Sequence, residues 1–449
     1  MFAFFWGLAH FVDEFRQPVR LVADPIGGFL HIIVFALAIS VMFKPSSIGR
    51  LFSLSLLSSA VVFTQLPITP NHNMILLMGD LAIVAGLFVY SFSKNSELKN
   101  WFADTEPFLR IALLITYGSA TIAKLNTGWF NTELSCSTTM PRREFGWLPF
   151  PVDWESFWFM PFVIAGAELS IWLLPLIRKI RPYALVLAVT FHISLSLTPD
   201  SQGLGFSFLL FALLMLYLPD SAHQQIYRQG TRTLRRITDS NKLALVVYGF
   251  VALSMFLGFI SFVDVGNDIF RFVRYVPMLL LLAGFGFLIS YYALRHRNQE
   301  QVRPAVAVRH WTQLVLLILI VANSLGPYLG YKTYATMTMY SNLSIANGTT
   351  NHLLIPRIPL SDMADDIVTI WDSSNPKVLS YAQRGLKITW HELRREMSET
   401  PFASVVYERD GEVIMMERAS DDPELVSLDP VLHRLLGFRP IGEEYVCLW

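Results

Sequence analysis

Charged residues are scarce in this chain of 449 residues. Asp, Glu, Lys and Arg together make up 16% of it, whereas an ordinary soluble domain carries about 25%. Hydrophobic residues make up 53%, so the composition argues against a wholly soluble protein and indicates that much of the chain lies in lipid. Acidic and basic residues are equal in number, and no basic field therefore predicts nucleic-acid binding.

The chain also lacks several motifs that signal a known chemistry. It contains no HExxH or CxxC sequence and its histidines are dispersed, so metal catalysis has little support. It contains no P-loop and no dinucleotide-binding fingerprint. Its first twenty residues have neither an unbroken apolar core nor a small-residue cleavage site. Residues 1–27 are therefore predicted to form an interfacial segment rather than a signal peptide.

Long apolar runs are abundant. A helix needs about 17–25 mostly apolar residues to cross a membrane, and ten segments meet or approach that length. The predicted spans are 28–43, 51–69, 73–93, 107–124, 157–177, 183–198, 204–218, 243–263, 275–294 and 312–330. The predicted fold is an all-α polytopic membrane protein of about ten transmembrane helices with a small C-terminal α+β domain. Its parts after the interfacial segment are a transmembrane core at 28–220, additional transmembrane helices at 221–330 and an extracytoplasmic domain at 331–449.

The loops between the spans predict the orientation, because lysine and arginine concentrate in cytoplasmic loops. One alternating set of loops holds sixteen of these residues and the other holds four. The second set is therefore predicted to face outward. This places the loop 125–156, the N-terminus and the tail 331–449 on the extracytoplasmic side of a multi-pass protein of the inner or plasma membrane.

The same orientation places both cysteines on the outer side. Cys136 lies in the long loop and Cys447 lies at the end of the tail. Oxidising compartments favour disulfides, so the pattern predicts a bridge that ties the tail to the loop. Two unrelated thiols are the alternative.

Charged residues return in the tail, and its patterns change. The run ASVVYERDGEVIMMER alternates like a hairpin, with Asp410-Gly411 as the turn. The run KITWHELRREMSE is typical of a helix, and MTMYSNLSIANGTTNHLLIP has the composition of a loop. These patterns predict the α+β domain.

Ionisable residues inside the spans are costly in lipid and point to function. They are His31, Asp80, Arg110, Lys124, Glu168 and His192, with His72 just before the third span. The predicted topology puts Lys124, His72 and His192 at one level near the outer face, and Glu168 at about mid-bilayer. The alternatives are that the cations only snorkel to the headgroups and that the carboxylates and histidines are hydrogen-bonded packing groups.

Three stretches arrange these positions in a pattern. The fourth span and its exit read FLRIALLITYGSATIAKLNTGWFNTE, in which Leu-Arg opens a helix and Lys-Leu-Asn-x-x-Trp closes it. Upstream stands PNHNMIL, and downstream stands AELSIWLLPLIRKIRPYALVLAVTFHISLSL. Together they resemble the vitamin K-dependent γ-carboxylase family over about residues 10–220, the horizontally transferred transmembrane (HTTM) domain, in a bacterial form. The MYSNL and TNHLLIP runs of the tail also resemble bacterial members.

The resemblance implies an enzyme that oxygenates reduced vitamin K, a menaquinol-type quinol, with O2. The oxygenation generates a strong base that removes a γ-proton from a peptidyl glutamate, and CO2 adds to the carbanion. Lys124 matches the lysine that deprotonates the quinol, and desolvation suits this role because it favours the neutral amine. His72 matches the histidine that stabilises the carbanion or handles its proton. The other matching positions are predicted to bind substrate or cofactor: Arg110, Asn126, Trp129, Glu168 and His192.

The chain departs from the animal members in two ways. It has Ala123-Lys124 where they have a Lys-Lys pair, and its tail is much shorter than their lumenal domain, which contributes to propeptide binding. The predicted function is therefore a quinol-dependent epoxidase, with or without carboxylation of glutamate in an outer-side protein or peptide. A membrane carrier and a non-catalytic scaffold with an outer binding domain are the alternatives. The carrier lacks the support of an inverted repeat or of paired Gly/Pro-broken helices.

Overall fold

The structure is a computed structural model that describes residues 1–15, 25–92, 101–145, 153, 155–197, 203–238, 268–298, 306–346, 348–429, 431–442 and 447. Helices dominate the part before the tail. They are α1 (Phe2–Phe15), α2 (Pro25–Phe43), α3 (Ile48–Gln65), α4 (Asn71–Phe92), α5 (Trp101–Ala123), α6 (Thr127–Phe130), α7 (Cys136–Phe145), α8 (Met160–Leu173), α9 (Arg181–Ser196), α10 (Leu204–Leu214), α11 (Asp220–Thr238), α12 (Asp268–Arg295) and α13 (Trp311–Leu325). Single 3-10 turns lie at Glu155–Phe157, Leu174–Leu176 and Met215–Tyr217.

Three helical segments among the described residues are long and apolar enough to cross a membrane. They are Ile48–Gln65, Asn71–Phe92 and Tyr275–Arg295. The pair Leu204–Tyr217 and Asp220–Gln229 is bent by 119° and makes a fourth if it counts as one span. These segments indicate a membrane-associated protein. The predicted count of ten spans is not supported.

Helix length explains most of the difference in the count. The predicted span 243–263 lies outside the described residues, and each of the other nine falls on a helix. Several of these helices are short, because parts of the apolar runs form turns or 3-10 segments: Met160–Leu176 and Trp311–Leu325 have at most 17 residues. Helix α10 is short as well, and all of its residues are buried against neighbouring helices.

The N-terminal helix α1 lies inside the bundle. Its Trp6 and Val12 have no exposed surface, and the Trp6 indole donates a 2.9 Å hydrogen bond to Asp80 of α4. Gly79 permits this close approach, because a Cβ there would overlap the Trp6 ring. The predicted interfacial segment is therefore wrong for Phe2–Phe15: the aromatic residues that suggested a membrane surface pack against other helices.

Helix α1 also runs antiparallel to α4. Asp13 contacts His72 at the start of α4, whereas Trp6 contacts Asp80, eight residues further along. At its other end, the ring of Phe2 lies 5.2 Å from that of Phe102, which is near the start of α5, while Lys124 follows the end of α5. Because α5 has 23 residues and is about 35 Å long, the start of the chain lies at the end of the bundle opposite Lys124. The predicted placement of the N-terminus on the same side as the tail is wrong.

The tail contains a small α+β domain, as predicted. Its four-stranded antiparallel sheet has the order β4-β3-β5-β6, built from β3 (Ile367–Ser373), β4 (Lys387–Thr389), β5 (Val405–Arg409) and β6 (Glu412–Met416). Before the sheet lie the short hairpin β1 (Ile345–Ala346) and β2 (Thr349–Thr350) and a 3-10 turn at Asp362–Ala364. The helices are α14 (Pro376–Gln383), α15 (Trp390–Glu399), α16 (Pro423–Val426) and α17 (Leu432–Leu435), with a 3-10 turn at Ala419–Asp421.

The local patterns of the tail fold largely as expected. The predicted hairpin is confirmed: Asp410 and Gly411 have φ values of 55° and 82°, the conformation that a tight two-residue hairpin turn requires. The predicted helix begins three residues later than expected, because Lys387–Thr389 forms β4. The Thr389 hydroxyl accepts a hydrogen bond from the Glu392 backbone N–H and so caps α15.

The first residues of the tail pack with the helical bundle rather than with the sheet. Ala335 and Met337 belong to the core of the bundle, and the Asn323 side chain of α13 donates to the Ala335 carbonyl at 3.0 Å. At the far end of the tail, Cys447 forms a disulfide with Cys136 of α7, with Cα atoms 5.0 Å apart. This confirms the predicted bridge, which holds the far end of the tail to the bundle.

Reduction of this disulfide is expected to loosen the tail. A cross-link that closes a long loop contributes about 2–4 kcal/mol, so opening of the tail should become easier by about that amount. The rate of tail release in limited proteolysis, with and without reductant, measures the effect. The chain has only two cysteines, so the Cys136→Ser/Cys447→Ser protein should be insensitive to reductant. Equal release rates for the parent protein in both conditions would contradict the prediction.

Candidate functional site

Lys124 and Glu168 form a buried ion pair where α5 meets α8. The Nζ atom of Lys124 lies 2.9 Å from the Oε2 atom of Glu168, and the two side chains are 2% and 10% exposed. The predicted separation in depth between Lys124 and Glu168 is therefore wrong. Side chains of a helix lean toward its N-terminus, so the long Lys124 side chain reaches back along α5 to Glu168 rather than outward to the headgroups.

A glycine allows α5 and α8 to approach closely enough for this pair. A Cβ on Gly118 would lie 2.7 Å from Cε2 of Trp172, which follows Glu168 by one turn on α8. Small residues at such crossings are common between membrane helices. The crossing of α5 over α8 thus sets the distance between the amine and the carboxylate.

The turn after Lys124 supplies an aromatic face. The Asn126 side chain caps α6 by accepting a 2.8 Å hydrogen bond from the Trp129 backbone N–H. The Trp129 ring is only 1% exposed, and its centroid lies 5.0 Å from the Nζ atom of Lys124. Its indole N–H donates to the Pro161 carbonyl at 3.0 Å. Trp129 therefore lies beneath the lysine, buried within the protein.

The tail completes the surroundings of Lys124. The Nζ atom donates a hydrogen bond to the Met339 carbonyl at 2.9 Å, and the Asn126 amide donates to the Ser341 carbonyl at 2.6 Å. The Asn351 amide donates to the Asn126 side-chain oxygen at 3.3 Å. Sequence reasoning missed these contacts, although MYSNL and TNHLLIP resembled the family and were a signal that could have found them. We call residues Met339–His352 the tail strap.

His352 fixes the strap to the end of α5. Its Nδ1 accepts hydrogen bonds from the backbone N–H groups of Leu354 and Ile355 at 3.0 and 2.8 Å. Its Nε2 lies 2.8 Å from the Ile122 carbonyl, which requires Nε2 to carry a proton. Burial lowers the pKa of His352, in agreement with a neutral ring that donates at one nitrogen and accepts at the other.

His192 lies on the other side of the pair. It has no exposed surface, its Nε2 is hydrogen-bonded to the Tyr117 hydroxyl, and its Nδ1 lies 3.3 Å from the Ser207 hydroxyl. Tyr117 lies on α5, two turns before Lys124. His192 is thus hydrogen-bonded to the helix that precedes Lys124.

His72 joins this group through an aromatic ring. The Phe206 ring lies 6.5 Å from the His72 ring and 5.0 Å from the His192 ring. The Nε2 atom of His72 lies 3.1 Å from Oδ1 of Asp13, a residue of α1 that the sequence did not single out. His72 and His192 thus flank the same Phe206 ring, and we call Lys124, Glu168, His192 and His72 together the polar cluster.

Arg110 lies elsewhere. It precedes Lys124 by 14 residues on α5, which corresponds to about 21 Å along the axis. Its guanidinium pairs with Glu106 and donates to the Leu216 carbonyl, and it is only 2% exposed. Arg110 is therefore held by protein groups rather than by snorkelling to headgroups, and it lies at a distance from Lys124. Its contacts join α5 to the 3-10 turn that follows α10.

Comparisons with known proteins give no further guide to the site. Among the described residues, no group of three or more His, Cys, Asp or Glu side chains is arranged to hold a metal ion. No protein-family model matches the chain, and neither the curated proteins nor the solved structures include a significant match. The resemblance to the carboxylase family therefore rests on the sequence motifs.

Proposed function

We propose that the protein is a membrane-embedded quinol oxygenase of the vitamin K-dependent γ-carboxylase type, with Lys124 as the base that activates the quinol. The observation that carries the proposal is the buried pair of Lys124 with Glu168 above the Trp129 ring. Lys124 contacts a carboxylate, an aromatic face and a backbone carbonyl, whereas a lysine that only snorkels points to the headgroups. Buried ionisable groups of this kind mark functional sites in membrane proteins.

The side chains around Lys124 suit a quinol. Such a substrate needs a base at its hydroxyl group and an apolar face for its rings, and Lys124 and Trp129 offer these in direct contact. The Nζ atom of Lys124 has Glu168, the Met339 carbonyl and the face of Trp129 around it. A quinol hydroxyl that reaches Nζ would replace one of these three partners, and the Met339 carbonyl is the one supplied by the tail strap.

Glu168 has a defined part in this chemistry. In a desolvated pair the proton can rest on either partner, and when Glu168 holds it, Lys124 is a neutral amine that accepts the hydroxyl proton of the quinol. Glu168 passes its own proton to the oxygen atom that leaves as water, and its carboxylate, within 2.9 Å, then stabilises the ammonium. The bound quinol supplies the oxygen chemistry: one atom of O2 becomes the epoxide oxygen and the other leaves as water.

Carboxylation, partners and location follow as parts of the same proposal. His72 stabilises the glutamate carbanion or handles its proton where CO2 adds to an outer-side protein or peptide. The membrane core carries the quinol and lipid contacts. The end of the bundle that holds Lys124 and the tail faces the extracytoplasmic side of the inner or plasma membrane. The sixteen-to-four distribution of Lys and Arg supports this orientation.

The test is an oxygenation assay with the purified protein in detergent. Reduced vitamin K and O2 are expected to yield the epoxide, and a glutamate peptide with labelled CO2 separates oxygenation from carboxylation. The Lys124→Ala variant should lose at least about 100-fold in rate, while the exposed control Lys44→Ala should keep the parent rate. Full epoxidation by Lys124→Ala would overturn the role of Lys124. Flux of a solute in proteoliposomes without any turnover would favour a carrier instead.

A further inference from the structure

Three histidine–carboxylate pairs join α1 to neighbouring helices. His10 lies 3.2 Å from Asp80 of α4, Asp13 lies 3.1 Å from His72 of α4, and Glu14 pairs with His31 of α2. Two of the pairs connect α1 with residues outside the polar cluster. The third pair, Asp13 with His72, includes a residue of the polar cluster.

The geometry of this pair determines which nitrogen of His72 is available. Nε2 faces Asp13, so Nδ1 is the nitrogen left for another partner. The His72 side chain is 18% exposed and that of Asp13 is 11% exposed, whereas Lys124 and Glu168 are 2% and 10% exposed. Within the polar cluster, His72 is therefore the most exposed side chain.

We infer that Asp13 is a positioning residue for His72, which it holds with a proton on Nε2 and a free lone pair on Nδ1. A carboxylate bonded to one nitrogen of a histidine fixes its tautomer and orientation and increases the basicity of the other nitrogen. A proton taken up at Nδ1 leaves an imidazolium whose charge Asp13 balances. The catalytic part of this inference rests on the proposed function, whereas the orientation of His72 does not.

Glu14 provides a matched control. It follows Asp13 on the same helix, its side chain is 9% exposed, and its histidine partner is 8% exposed. Asp13→Asn and Glu14→Gln each remove one buried charge and weaken one bond to a histidine. The two variants are therefore expected to cost similar stability, so a difference between them at His72 reflects the position of Asp13.

The first measurement needs no turnover. Diethyl pyrocarbonate acylates a histidine nitrogen that carries a free lone pair, and peptide mass spectrometry follows the reaction at His72 and His31 separately. Asp13→Asn is expected to slow the reaction of His72 by roughly threefold or more, because Nδ1 loses the carboxylate that keeps its lone pair free and makes it more basic. Glu14→Gln should change His31 and leave His72 at the parent rate. An unchanged His72 rate in Asp13→Asn would overturn the inference.

The second measurement is a double-mutant cycle on epoxidation and on peptide carboxylation. Asp13→Asn is expected to lower kcat about tenfold with little change in KM for the step that uses His72. In a His72→Gln background the same change should matter less than about twofold, and Glu14→Gln should keep the parent kcat in both backgrounds. Equal effects of Asp13→Asn with and without His72 would overturn the positioning role. If no variant or parent shows turnover, the proposed function fails, and the acylation result alone decides the orientation of His72.

Discussion

Replacement of Lys124 by methionine is expected to destabilise the protein as well as to abolish quinol turnover. Methionine has nearly the length of the lysine side chain but no charge, so Glu168 would remain as a buried carboxylate without its cation. Removal of one partner from a buried ion pair costs about 3–5 kcal/mol. Thermal unfolding of the detergent-solubilised protein measures the loss, and epoxide formation measures turnover.

A second substitution separates the two effects. In Lys124→Met/Glu168→Gln the unpaired charge is gone, so much of the lost stability should return, while turnover stays absent because no base remains. The exposed Lys44→Met serves as the control and should match the parent in both measurements. A double variant no more stable than Lys124→Met would show that the ion pair is not the cause. A double variant with normal turnover would remove Lys124 from the mechanism.

Replacement of Arg395 by methionine is expected to unfold the tail domain. Arg395 is 3% exposed, pairs with Glu392 and Glu396, and lies 3.5 Å from Glu399. Its removal leaves the buried Glu392 without its cation, whereas Glu396 keeps Lys377 as a partner at 2.7 Å. An unpaired buried carboxylate of this kind costs about 3–5 kcal/mol, which is a large part of the stability of a small domain. Hydrogen exchange of the sheet β3–β6 in the full-length protein measures this loss directly.

The loss of stability in Arg395→Met should depend on pH. Burial raises the pKa of Glu392 above its ordinary value, although the nearby Arg395 opposes this. A carboxyl group with a raised folded-state pKa destabilises the fold where it is ionised, so its cost declines as the pH falls and the group takes up a proton. The stability of Arg395→Met should therefore recover toward acidic pH. Arg384→Met, at an exposed position, should resemble the parent at every pH, and a pH-independent deficit in Arg395→Met would contradict the explanation.

The sequence predicts where the helices and strands of this protein lie better than it predicts which of them pack together. Apolar runs place the helices, and Asp410-Gly411 places a hairpin, because both signals are local. The burial of α1 is not local: its Trp6 and Asp13 are buried by partners in α4 that lie about sixty to seventy residues further along the chain. The composition of α1 suited a membrane surface equally well, so only the packing decides between the two.

The candidate site is likewise predictable in its local features but not in its long-range contacts. Charge bias and the Lys-Leu-Asn-x-x-Trp motif single out Lys124, and both are visible in the sequence. The contact with Glu168 depends on the crossing of α5 over α8 and on the lean of the lysine side chain, which a count of residues from the helix end does not include. The MYSNL run marks the segment that contains Met339, but it does not show which backbone oxygen meets the lysine, because a carbonyl has no residue type to identify it.

The disulfide and the end of α13 determine how the site can open. The tail strap Met339–His352 follows α13, and the chain after it returns to the bundle at Cys136 through a covalent bond. The tail therefore lies in a closed ring of chain and cannot diffuse away when its hydrogen bonds to Lys124 and Asn126 break. A tethered group finds its partner again at high effective concentration. Entry of a substrate to Lys124 should therefore be a brief, reversible parting of the strap, followed by rapid return of the Met339 carbonyl to the amine.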